Sequence, residues 1–156
     1  MNGKLIGGFI ALSGLIAGVA IYYLQVYGFY DEVAPEDLEI SLTLAATGEL
    51  EALEASEVQA IDGDSSPLKF RACFKTSVEN AVLRETYVAA EKPVPLTAPG
   101  WFDCFDAEAI GAALEAGQAQ AYLGQAEVRD GVDRVVAIME DGRGFAWHQL
   151  NEKYSE

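Results

Sequence analysis

The chain has 156 residues, about one domain's worth, of which 51% are hydrophobic and 22% charged, a balance that excludes a disordered or low-complexity protein. Ten Lys and Arg stand against 25 Asp and Glu, a formal charge of −15 that argues against nucleic acid as a partner. Two cysteines and one histidine are too few soft ligands for a zinc, iron–sulfur or haem centre, and no cofactor is expected.

The first predicted element is a membrane helix. No charged residue occurs from Leu5 to Tyr30, and Leu5 to Leu24 is almost wholly apolar. Twenty residues at 1.5 Å each span about 30 Å, the thickness of a bilayer core. Tyr22, Tyr23, Tyr27, Phe29 and Tyr30 gather where the chain would leave the lipid, as a membrane-interface belt. A cleaved signal peptide is the rival, with Lys4 as a minimal positive region and Gly18-Val19-Ala20 as a cleavage site. The apolar run outlasts an ordinary signal core, so an uncleaved anchor over residues 1–30 is expected.

The flanks set the orientation. Lys4 precedes the helix, whereas Asp31, Glu32, Glu36, Asp37 and Glu39 follow it and no Lys or Arg appears before Lys69. The positive-inside rule then keeps the N-terminus in the cytoplasm and exports the rest, to the periplasm if the membrane is a bacterial inner membrane. Gly7, Ala11, Gly14 and Gly18 fall on one helix face, and Gly14 to Gly18 is a GxxxG. Small residues let helices approach closely inside lipid, so this stripe is a candidate packing interface with integral-membrane subunits.

Residues 31–37, with Pro35, read as a linker, and residues 38–156 as an exported domain. Residues 31–156 hold all 25 acids and nine of the ten basic residues, a charge of −16. Leu38, Ile40, Leu42 and Leu44 alternate as in a half-buried strand. Residues 57–61 and 68–76 flank Asp62-Gly63-Asp64-Ser65-Ser66-Pro67 and predict a hairpin, and residues 82–89 a further strand. Prolines 93, 95 and 99 force an extended stretch. The best helix of the domain is predicted from Asp106 to Ala116, capped by Asp106 and stopped at Gly117. Strands over 118–128, 134–139 and 145–150 follow, separated by the turn dipeptides Asp130-Gly131 and Asp141-Gly142. Val135 to Met139 is apolar on both faces, so that strand is central. The expected fold is α+β: an N-terminal transmembrane helix, then a small antiparallel-sheet domain with one or two helices.

Candidate chemistry is sparse. Cys73 and Cys104 would bridge in an oxidising compartment, tying a hairpin strand to the segment that enters the helix. Two free buried thiols are the alternative, and the spacing is far from the C-x-x-C of redox enzymes. His148, beside Trp147 on the last strand, reads as a sheet-surface or interface residue. Asp62 to Ser66 resembles a calcium loop only superficially, since the twelfth position from Asp62 is Cys73 where an EF-hand needs Glu. Glu49, Glu51 and Glu54, and Asp103 with Asp106, read as solvated carboxylates. No phosphate-binding glycine loop, nucleophile elbow or H-E-x-x-H is present, and no catalytic, cofactor or metal residues are expected.

Two stretches, Asn2 to Tyr30 with Gly7-Gly8-Phe9 and Tyr22-Tyr23-Leu24-Gln25-Val26-Tyr27, and Gly100-Trp101-Phe102-Asp103-Cys104-Phe105-Asp106 to Gly111, resemble an uncharacterised family of small single-pass, membrane-anchored bacterial proteins. The resemblance implies the topology and transfers no functional residue. The leading expectation is a non-catalytic accessory or assembly subunit of a bacterial inner-membrane complex, of the respiratory or electron-transfer kind. The alternative is a membrane-anchored periplasmic module that recruits a basic protein or small ligand through its acidic surface.

Overall fold

The computed structural model describes residues 2–154; Met1 of the expected anchor and Ser155 and Glu156 of the expected domain lie outside them. Helix α1 spans Gly3–Tyr23 and runs on as a π turn over Leu24–Gly28. Within these 26 residues an 18-residue stretch has a mean hydropathy of 2.1, and the helix is long and apolar enough to cross a membrane. No residue of α1 is buried.

The rest is an antiparallel α+β domain with two further helices. Its main sheet contains β1 (Asp31–Val33), β4 (Ser56–Asp62), β5 (Arg71–Lys75), β8 (Arg143–Leu150), β7 (Val132–Met139) and β6 (Ala119–Arg129), in that spatial order. Strands β2 (Ser41–Thr43) and β3 (Leu50–Ala52) form a separate hairpin. Helix α2 covers Asn80–Thr86 and α3 Ala107–Glu115. The β4–β5 hairpin, α3 and the three C-terminal strands match the sequence-based expectation, with β7 inside the sheet.

Both faces of that sheet are covered, which is why its inner strands are apolar at consecutive positions. On one face Ala72, Phe74, Tyr122, Val136, Ile138 and Ala146 pack with Leu42 and Leu53 of the β2–β3 hairpin and Leu83 of α2. On the other, Cys73, Val135, Ala137, Phe145 and Trp147 pack with Phe102, Phe105 and Ile110 of the α3 region. Strand β8 manages this partly through Gly144, opposite Phe74 in the register. A side chain there would collide with the Phe74 ring.

Asp106 caps α3, its Oδ1 accepting from Ala109 N at 3.0 Å, and Gly117 follows in the left-handed conformation at φ +73°. Gly131 and Gly142, at φ +72° and +86°, make the turns into β7 and β8.

Two expectations are corrected. Residues 31–37 are not a free linker: β1 pairs with β4, Asp31 opposite Asp62 and Val33 opposite Ala60, and Pro35–Asp37 is a 3-10 turn. The acids and Pro35 that suggest a tether suit an edge strand equally well. Residues 82–89 are not one strand either. Asn80–Thr86 is helical, because Ala81, Leu83, Arg84 and Glu85 are good helix formers and only Leu83 must reach the core. Only the end of the segment is extended, where Ala90 N donates to Ala121 O and Leu123 N to Val88 O along the β6 edge.

Candidate functional site

The most specific arrangement of side chains lies where α1 meets the domain. The π turn ends α1 with carbonyls that lack helical partners. Trp101 takes one of them, its indole Nε1 donating to Val26 O at 2.7 Å. The Trp101 ring stacks on Tyr27 with centroids 6.0 Å apart, and Tyr27 stacks on Tyr23 at the same distance. Tyr30 meets Trp101 edge to face at 6.2 Å. From the other side Lys69 donates to Phe29 O at 3.3 Å, and its ammonium stands 4.4 Å from the Tyr30 ring centre and 5.1 Å from that of Phe29. Gly63 completes the seat, since a side chain there would strike Phe29 O.

Four residues of the expected aromatic belt, Tyr23, Tyr27, Phe29 and Tyr30, therefore belong to a clasp; Tyr22 stays exposed on α1. Their partners Trp101 and Lys69 were not singled out by sequence. The signal was present: Lys69 is the first basic residue after the helix, and Trp101 is one of only two tryptophans. Removing the indole donor with Trp101→Phe keeps a ring but loses one hydrogen bond, worth about 1 kcal/mol. Amide exchange of residues 30–33, followed by mass spectrometry, should then accelerate on the order of fivefold. Unchanged exchange would mean that the clasp does not hold β1.

A buried guanidinium, that of Arg71, stands at the start of β5. Arg71, 3% exposed, donates to Leu96 O, Leu68 O, Phe70 O and Thr97 O at 2.6–3.0 Å. It thereby straps residues 96–97 to the start of β5. Burial lowers its pKa from the usual value, with Tyr30 and Asp62 opposing.

On the opposite face the Phe70 ring stacks on the His148 ring, centroids 4.6 Å apart, and also meets the Arg134 guanidinium at 4.2 Å. Arg134 Nε donates to His148 Nε2 at 3.1 Å, and His148 Nδ1 faces Pro67 O at 2.7 Å. The two contacts fit one neutral tautomer, protonated on Nδ1. Burial pushes the His148 pKa down to about 4, the Pro67 carbonyl opposing and Arg134 reinforcing. His148 is thus 6% exposed, not a surface residue, and both ring nitrogens are engaged. What it does here is pin the 63–70 loop onto β8.

The remaining candidates have local explanations. Cys73 and Cys104 are bridged, Cα atoms 6.2 Å apart, joining β5 to the turn before α3. Gly7, Ala11, Gly14 and Gly18 lie exposed in α1, and a Cβ on any of the three glycines would touch nothing. Asp62 accepts from Gly63 N at 2.8 Å, and Ser66 Oγ from Leu68 N at 3.2 Å, both ordinary turn bonds. Glu51 accepts from Tyr87 Oη at 2.5 Å, which with burial drives the Tyr87 pKa up to about 12. Glu49, Glu54 and Asp103 are exposed. Among the described residues no group of three or more His, Cys, Asp or Glu is placed to hold a metal ion.

No curated protein and no solved structure matches the chain. One family model does, over residues 40–156, three quarters of the sequence and nearly all of the folded domain. The chain belongs to that family, DUF6446, a family of unknown function.

Proposed function

We propose that the chain is a single-pass membrane protein acting as a non-catalytic accessory or assembly subunit of a bacterial inner-membrane complex. In this reading α1 crosses the bilayer with its N-terminus in the cytoplasm, and the domain stands on the periplasmic side. A respiratory or electron-transfer complex is the kind of host that offers both membrane helices and a periplasmic face.

The observation that supports the reading is the clasp. A mere tether works through a loose linker. Here Trp101 and Lys69 fix the domain on the helix end, which is useful when helix and domain engage one partner together. The uncovered small-residue face of α1 is the surface by which the helix would dock.

The test is native electrophoresis of the tagged full-length protein, solubilised in mild detergent. It should co-migrate with a fixed set of integral-membrane subunits, and Gly14→Leu should release it from them without altering the melting of the domain. A protein that runs alone would favour a second reading, a binding module for a basic partner, which the charge of −16 over residues 31–156 supports.

A further inference from the structure

We infer that the groove beside the clasp, on the α3 side of the sheet, binds one alkyl chain of a membrane lipid. The cavity measures about 590 Å³, within the range of small-ligand sites. Its floor is the cross-strand pair Leu123 and Val135, and its walls are Leu68, Val94, Leu96 and Leu150. Val94 and Leu150 remain 56% and 42% exposed, so the groove presents apolar surface to water.

The polar side chains nearest its floor, Gln149 and Asp133, are already engaged by the protein, while Glu91, Lys92 and Glu152 stand exposed at its rim. Gln149 Oε1 accepts from Val94 N at 2.9 Å and Trp147 Nε1 at 3.0 Å, while its Nε2 donates to Lys92 O at 3.2 Å. Asp133 Oδ1 accepts from Glu127 N at 2.9 Å and Asn151 Nδ2 at 3.0 Å. A polar ligand would find these groups engaged and would have to leave its own hydrogen bonds in water. Hydrocarbon brings no such demand.

Position selects the source of that hydrocarbon. Two of its walls, Leu68 and Leu96, are joined through the chain to the clasp. Leu68 directly precedes Lys69, which holds Phe29 and Tyr30. Leu96 belongs to the strap that Arg71 holds, and that strap continues to Trp101 on Val26. On the membrane reading proposed above, on which this inference rests, the groove therefore adjoins the lipid headgroups. Moving a chain from the bilayer into the groove is nearly neutral for the chain itself; the gain comes from covering Val94, Leu150 and the floor. Lys92 stands exposed at the lip, its ammonium 3.7 Å from Glu152, where a headgroup would emerge.

The experiment places the full-length protein in nanodiscs containing a phosphatidylcholine with a photoreactive diazirine on one acyl chain. After illumination, the labelled positions are mapped by mass spectrometry. The expected result is labelling of α1 and also of peptides bearing Leu123, Val135 or Leu150. Filling the groove with Val94→Trp at its rim, or Leu123→Trp on its floor, should abolish the second label and leave the first. A groove that stays unlabelled while α1 is labelled overturns the inference and leaves the membrane reading intact, and so does groove labelling that survives both substitutions. Absence of label from α1 itself would remove the membrane reading and this inference together.

Discussion

Replacing Cys73 and Cys104 together by alanine should lower the unfolding free energy of the domain by roughly 3–4 kcal/mol, the chain-entropy value for a loop of this size. The two residues are 31 apart in sequence. That loop contains α2, the 88–90 edge segment and the proline-rich strap, so the unfolded chain loses much freedom when it is closed. For a domain of this length the change corresponds to a melting temperature lower by on the order of 10–20 °C. Alanine is the right replacement because Cys73 is 7% exposed, and a serine hydroxyl there would add a desolvation cost of its own. Reductant should bring the parent protein down to the melting point of the double variant and leave the variant unmoved. A shift of only a degree or two would mean that packing around Phe102, Phe105 and Ile110 holds this region without the bridge.

The second large effect is acid destabilisation through His148. In the unfolded chain its imidazole takes up a proton near pH 6.5, whereas in the folded domain it resists protonation until about pH 4. Folding thus excludes a proton throughout that interval. The stability that the neutral ring supports is complete above about pH 6.5 and is lost as the pH falls toward 4, a total of about 3 kcal/mol. The domain's many carboxylates titrate over the lower part of the same range, so the parent protein alone does not isolate the effect. His148→Gln retains a donor and an acceptor on the side chain but cannot be protonated. The difference in melting temperature between parent and variant should therefore shift in favour of the variant between pH 7 and pH 4.5. A difference that stays constant with pH would show that His148 titrates normally, and that burial beside Arg134 does not hold it neutral.

Elements whose pattern repeats along the chain were legible in sequence. Helix α1 declares itself by the uncharged, almost wholly apolar run from Leu5 to Leu24, and β7 by apolar residues on both faces. Asp130-Gly131 and Asp141-Gly142 mark turns because only glycine takes the left-handed backbone there at no steric cost. What escaped depends on contacts distant in sequence. Residues 80–86 carry both helix formers and β-branched Val82, and the choice between them is made by where Leu83 reaches the core. Strand β3 is missing from the sequence reading because Leu50, Glu51 and Ala52 are all exposed, and a strand pairing only with β2 has no alternation to display. The clasp was half visible. The tyrosines stand together in the chain, but Trp101 lies 75 residues from Val26, and no local pattern announces that pairing. Arg71 and Arg134 were hidden for the same reason: their partners are backbone carbonyls and a distant ring, groups that every sequence contains.

The spatial order β1-β4-β5-β8-β7-β6 carries a consequence for how the molecule is made. Synthesis proceeds from the N-terminus, so β1, β4 and β5 emerge as one ribbon and β6 and β7 as another. Neither ribbon touches the other through a ladder until residues 143–150 arrive, because β8 alone pairs with both β5 and β7. The last strand is the keystone of the sheet. Cys73 and Cys104 are both present well before it, so the covalent bond can close while the sheet is still in two pieces. A nascent chain halted before residue 143 would be expected to carry the bridge and two separate half-sheets, each with an unpaired edge open to other chains.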